Sequence, residues 1–152
     1  MFGNDRELQM TAIVLAMDGS AYSRHAASWL ASTTSLAQPL IVHVVHVSPI
    51  IGRTGFSAVD FEKENREEAR VVFESARHLL EGRVSELHEH WLRGNAAEEV
   101  IRFANEHDAD LIVVGAKGVG ALRSTIIGSV VSKVAAQSAV PVLIVNAKDL
   151  QG

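Results

Sequence analysis

The sequence contains no cysteine. That excludes disulfide frameworks, zinc–thiolate and iron–sulfur centres, and thiol nucleophiles. It fits a reducing compartment, although a core of ordinary size needs no disulfide anywhere. Long apolar runs are also missing: none approaches the roughly 20 residues that span a bilayer, and candidates such as Leu111 to Val114 are strand-sized. Met1 to Thr11 carries Asp5, Arg6 and Glu7 and no apolar stretch, unlike a secretory leader. A cytoplasmic location without membrane contact is the expectation. Neither sign of charge dominates. Lys and Arg number 14 against 18 Asp and Glu, a net −4, which argues against a main task of gripping nucleic acid or an anionic membrane. Prolines number three and aromatic residues make up 5%; no Pro-rich linker, low-complexity stretch or internal repeat is present.

What is present is one domain's worth of chain. A length of 152 residues suits a single domain that buries roughly 70% of the surface its unfolded chain exposes. The expected division is an N-terminal tail over 1–11, a domain over 12–147 and a C-terminal tail over 148–152. Five short apolar runs rich in β-branched residues read as strands: Ala12–Met17, Leu40–Val47, Val84–Trp91, Leu111–Gly115 and Val142–Val145. Four are almost continuously apolar, as strands buried on both faces are. The third mixes Val84, Leu87 and Trp91 with Ser85, Glu86, His88, Glu89 and His90, the pattern of a more exposed edge strand. Between the strands lie apolar stripes at the helical period: Ala26, Ala27, Leu30, Ala31 and Thr34; then Ala69, Val72, Phe73, Ala76 and Leu80; then Ala97, Val100, Ile101 and Ala104; then Ile127, Val130, Val131, Val134 and Ala135. Asn95 followed by Glu98 reads as a helix start, and Gly82 as a helix stop. Strands alternating with helices give an α/β fold with a parallel sheet covered by helices on both faces.

In an open parallel sheet, ligands sit beyond the carboxyl ends of the strands, where strand order reverses. The first strand is followed there by Asp18-Gly19-Ser20, and the fourth by Gly115-Ala116-Lys117-Gly118-Val119-Gly120, with Gly128-Ser129 soon after. Glycine lets backbone come close to a ligand. A helix opening at Gly128-Ser129 presents free amides and a positive dipole end to phosphate; Ser129 adds a hydroxyl, and Lys117 and Arg123 add charge. The phosphate-binding Gly-x4-Gly-Lys-[Ser/Thr] loop and the dinucleotide Gly-x-Gly-x-x-Gly fingerprint after the first strand are both absent. Spacing alone therefore leaves a phosphate cradle and an ordinary glycine-rich turn both open. Asp18 likewise reads either as a ligand contact, able to take Mg²⁺ together with phosphates and waters, or as a helix N-cap in competition with Ser20. The segment Ser48–Ala58, with Pro49, Gly52 and Gly55, is long for a strand–helix loop; it reads as a binding loop or as a plain connection.

Taken together, these residues resemble the universal stress protein family. Gly115-x2-Gly118-x9-Gly128-Ser129 has the form of that family's nucleotide motif, Gly-x2-Gly-x9-Gly-[Ser/Thr]. Ala12 to Ser20, Leu40 to Val47, Asp108 to Gly115 and Pro141 to Val145 are similar to its first, second, fourth and fifth strands, so the resemblance covers nearly the whole domain. It implies a sheet of order 3-2-1-4-5 with an adenine-nucleotide pocket between the first and fourth strands. It further implies that Asp18 contacts the ribose and metal region, Val47 offers backbone to adenine, Gly115 and Gly118 approach ribose and phosphates, and Gly128, Ser129 and Val130 hold phosphates. Lys117 stands where a hydroxyl-then-cation pair is frequent and keeps the cation, while Ala116 loses the hydroxyl. ATP with Mg²⁺ is the implied ligand, a homodimer paired through Val142 to Val145 the implied assembly, and nucleotide-dependent regulation or scaffolding in a stress response the implied role. Slow ATP hydrolysis or autophosphorylation near Ser129 is one alternative; a dimeric interaction protein that works without nucleotide is another.

Other groups carry less. His43 and His46, three apart on a strand, point to opposite faces and cannot chelate one metal together. His88 and His90 share a face, but no third ligand lies near them in sequence. His25, His78 and His107 read as surface or boundary residues, and Trp29 and Trp91 as packing residues. Glu62 to Glu68 reads as a solvated helix face. No Ser-His-Asp arrangement with a nucleophile elbow occurs.

Overall fold

A computed structural model describes residues 10–50, 55, 57–119 and 127–147. In chain order the elements are β1 (Thr11–Ala16), α1 (Ala21–Ser32), β2 (Leu40–Ser48), α2 (Ala58–Leu80), β3 (Glu86–Arg93), α3 (Ala96–Glu106), β4 (Leu111–Gly115), α4 (Ser129–Gln137) and β5 (Val142–Val145). The strands form one five-stranded sheet of order β3-β2-β1-β4-β5, and every pairing is parallel. The expected strand order and class are thus what the chain adopts. Residues 51–54 and 56 of the Ser48–Ala58 segment, Arg123 and the 148–152 tail lie outside the described residues.

Alternation along the strands divides the core into two layers. Ile13 and Leu15 of β1, Val42 and Val44 of β2 and Val113 of β4 face one way, against Ala26, Ala27 and Leu30 of α1 and Ala69, Val72, Phe73, Ala76 and Leu80 of α2. Val14, Val45, Ile112 and Val114 face the other way, against Val100, Phe103 and Ala104 of α3 and Val131 and Val134 of α4. Ile13, Leu15 and Ile112 are completely buried, and such burial stabilises by about 1.5–3 kcal/mol per side chain. The apolar runs are continuous because each central strand must satisfy both layers. His43 and His46 do fall on opposite faces: His43 meets Phe103 of α3, and His46 meets Phe73 of α2.

Element ends follow local chemistry. Asn95 Oδ1 accepts the Glu98 amide at 3.1 Å and starts α3, as the spacing indicates. Gly82, at φ +77°, follows the C-cap Glu81 of α2 and takes the left-handed turn that side chains resist. The third strand runs two residues later than its apolar pattern suggests, Glu86–Arg93 in place of Val84–Trp91. Pairing decides this: β2 continues to Ser48 and carries β3 along to Arg93, while Val84 packs beneath the sheet end against the first layer. β3 is an edge strand, as its polar residues suggest. No described helix is long and apolar enough to cross a membrane.

Candidate functional site

Strand order reverses at β1, whose neighbours β2 and β4 connect to helices on opposite faces. The loops leaving β1 and β4 therefore diverge and open a cleft at their carboxyl ends. Its walls are Ala16, Met17 and Asp18 after β1, Val45 to Val47 of β2, Gly115 to Val119 after β4, and Ser129 to Val131 of α4. Ala96 and Val100 of α3 close one side. All eight residues singled out in the sequence are accounted for here: Asp18, Val47, Gly115, Lys117, Gly118, Ser129 and Val130 line the cleft, and Gly128 is the N-cap of α4 immediately behind it.

Asp18 is held in place from two directions. Its Oδ1 accepts the Ser20 amide at 2.9 Å and its Oδ2 accepts the Val119 amide at 2.8 Å. The helix-capping alternative goes to Ser20, whose Oγ accepts the Ser23 amide at 3.1 Å. Asp18 is thereby left to join the β1 and β4 loops. Each of its oxygens retains a second lone pair directed outside the Asp18–Val119 contact.

The glycines divide by what they approach. A Cβ at Gly115 would stand 2.6 Å from the Tyr22 carbonyl oxygen and 2.7 Å from its carbon, so Gly115 lets α1 lie directly on the end of β4. A Cβ at Gly118 would stand 2.5 Å from Asp18 Oδ2, so Gly118 makes room for the carboxylate. Gly128 donates its amide to Ala116 O at 2.9 Å and folds the start of α4 back against the Lys117–Gly118 backbone.

Gly128 has no side chain, and α4 begins without a side-chain cap. The amides of Ser129, Val130 and Val131 occupy the first turn, where no intrahelical acceptor exists. These three residues line the cleft, so the positive end of the helix faces it. Lys117 is buried, with Nζ 5.9 Å from the Tyr22 ring centre.

Val47 contributes main chain. Val45 O accepts the Met17 amide at 2.9 Å, whereas Ser48 O accepts the Gly94 amide at 3.0 Å on the β3 side. Residues two apart in a strand send their main-chain groups to the same neighbour, so those of Val47 face the β1 side, where β1 has ended at Ala16. They open into the cleft. His46, treated in the sequence only as a face marker, proves structural: its Nδ1 lies 2.8 Å from Met17 O and ties the ends of β2 and β1 just before Asp18. Its buried Nε2 has no hydrogen-bond partner among the described residues. Ala96 and Val100 are cleft residues the sequence did not single out. Their place on the buried stripe of α3 marked them as core, and only the crossover of α3 over β1 reveals that the stripe extends to the cleft.

For a metal, the donors around the cleft are sparse. Asp18 is the one carboxylate among its described residues, and no group of three His, Asp or Glu side chains among the described residues converges to hold an ion. That donor set suits Mg²⁺, which keeps most of its waters and binds through one or two carboxylates plus substrate phosphates. It does not suit an ion that needs an all-protein cage.

Comparison with known proteins agrees with this architecture. The family model described as "Universal stress protein family" matches residues 10–146. A universal stress protein of Methanocaldococcus jannaschii is 31% identical over 137 residues, spanning 88% of this chain and 81% of that one. A universal stress protein of Arabidopsis thaliana, solved with AMP bound, superposes with a TM-score of 0.66 at 17% identity, covering 92% of this chain and 94% of that one. A universal stress protein solved in complex with cAMP superposes with a TM-score of 0.62 at 20% identity, covering 90% and 96%.

Proposed function

The chain belongs to the universal stress protein family, and from that premise we propose that it binds ATP with Mg²⁺ in the cleft between β1 and β4 and works as a nucleotide-dependent regulator or scaffold in a stress response. The observation that carries the proposal is the uncapped start of α4 directed into the cleft. Three amides without an intrahelical acceptor at a helix N-terminus attract a phosphate through hydrogen bonds and dipole together. Ser129 supplies a hydroxyl beside them, and Gly118 keeps the opposite wall free of side chain. The open main chain of Val47 suits the edge of an adenine ring, with Val45, Val100 and Val131 as apolar walls. Relatives of the same fold were solved with AMP and with cAMP, which supports an adenine nucleotide as the ligand class.

Mg²⁺ would reach this site with its nucleotide, held by Asp18 through a remaining lone pair and otherwise by phosphate oxygens and water. It supplies charge neutralisation between the phosphates and Asp18. A second protomer pairing along β5 (Val142–Val145), the edge strand opposite β3, completes the proposed assembly. Native mass spectrometry of freshly purified protein tests the reading: retained ATP or ADP supports it, and a bare chain that stays bare after incubation with Mg·ATP contradicts it.

A further inference from the structure

Four of the chain's seven histidines meet at a place that no linear spacing reveals. In the β2–β3 register His43 lies beside His88 and Val45 beside His90, so all three histidines share the sheet face covered by α3. His107, the C-cap of α3, comes down on the same spot. His43 Nδ1 is 3.0 Å from His90 Nε2. The His43 and His90 ring centres are 5.1 Å apart, and His107 stands 5.8 Å from each. His88 stacks on His43 at 5.2 Å.

The His43–His90 and His43–His88 separations are those of a coordination site, and His107 stands somewhat further out. With metal–nitrogen bonds of about 2.0–2.1 Å and tetrahedral angles, three imidazoles on one ion set their ring centres about 5 Å apart. One outer nitrogen is arranged to suit: His88 Nε2 lies 2.9 Å from Glu86 Oε2. An acceptor on one ring nitrogen fixes the proton there and leaves the lone pair on the other, as ligating histidines require. Phe103 lies against His90, His43 and His107, with ring centres 4.5, 5.7 and 3.8 Å away, and supplies an apolar floor. As the side chains stand, the donor atoms of no three such residues converge on one point. His43 and His90 share a proton, and the exposed ring of His107 has to turn toward them.

We propose that His43, His90 and His107, with His88 as a fourth donor, bind a borderline transition-metal cation of the Zn²⁺ and Cu²⁺ class. Loading opens the His43 Nδ1–His90 Nε2 hydrogen bond: the proton it holds moves to the outer nitrogen of the same ring, and the two inner nitrogens turn their lone pairs to the cation. The site is separate from the nucleotide cleft: α3 starts at the cleft with Ala96 and reaches His107 about 16 Å further on. An ion there joins β2, the edge strand β3 and the end of α3, and so secures the sheet edge that has no neighbour.

Tag-free protein titrated with Zn²⁺ near neutral pH tests this in two ways. By calorimetry, one equivalent binds per chain; His43→Ala and His90→Ala each weaken binding by about tenfold or more, and a His25→Ala/His78→Ala control does not. By heteronuclear NMR of the unmutated protein, the ring nitrogens of His43, His90 and His107 shift on saturation. The spectral result does not depend on any variant folding. Absence of saturable binding, equal affinity in the His43 and His90 variants, or ring shifts confined to other histidines would overturn the proposal.

Discussion

Asp18 Oδ2 accepts the amide of Val119 at 2.8 Å across 101 positions of sequence. One carboxylate thus holds the loop after β1 against the loop after β4, and the two walls of the cleft are built as a unit. Gly118 is what permits the contact, since a Cβ there would lie 2.5 Å from the same oxygen. Gly118→Ala is expected to displace the Asp18 carboxylate and open the Asp18–Val119 bond. Such crowding costs about 1–3 kcal/mol, to be read in urea unfolding. Nucleotide affinity, read by calorimetry, should fall by about tenfold or more, because 1.4 kcal/mol at the cleft corresponds to that factor.

Gly115→Ala should behave differently. Its Cβ would meet backbone, at 2.6 Å from Tyr22 O and 2.7 Å from Tyr22 C, and α1 as a whole would have to shift. The expected loss of stability is about 3 kcal/mol or more, at or above the upper end for overpacking. Thermal unfolding of the two alanine variants side by side checks the order. Gly115→Ala melting lower than Gly118→Ala agrees with a glycine of the fold beside a glycine of the site, and the reverse order contradicts it.

Asn95 starts α3, whose first residue Ala96 lines the cleft. Asn95→Ala removes the acceptor for the Glu98 amide. It should cost about 1 kcal/mol, typical for a lost N-cap, measured by chemical denaturation. Nucleotide affinity should change little, since Gly94, Val100 and the rest of the helix remain to position the cleft wall.

Acid should weaken the fold through the histidine cluster. Burial and then the neighbouring imidazoles push His90 from the ordinary 6.5 down to about 4, and His43 below 6.5 as well. The unfolded chain takes up these protons near 6.5, whereas folded His90 resists its proton until about pH 4 and folded His43 takes its own up below 6.5. The stabilising contribution is therefore complete above 6.5 and is lost as pH falls from there toward 4. Urea midpoints measured across that range in the presence of a chelator should decline, and His90→Gln should flatten the decline. A midpoint independent of pH in the unmutated protein would contradict the cluster's burial.

The fold was readable because its central strands carry unbroken apolar runs and its helices carry clean stripes, so pattern and packing agree element by element. β3 was the exception. Val84 looks like a strand residue but packs below the sheet, and only the length of β2 extends the strand to Arg93. At the cleft, the sequence located Asp18 and the glycine loop correctly at strand ends. It did not reveal that Gly115 faces Tyr22 while Gly118 faces Asp18, because two glycines in one motif look alike until their neighbours are known. The histidines were least legible. Spacing showed His88 and His90 on one face, but His43 and His107 join them through register and helix length, relationships that no local pattern encodes.

Calorimetric titration of the tag-free, folded chain with Mg·ATP tests the central claim most directly. The account predicts saturable binding of one nucleotide per chain, weakened in Gly118→Ala. An absence of binding heat up to millimolar nucleotide in a sample that melts cooperatively would contradict it.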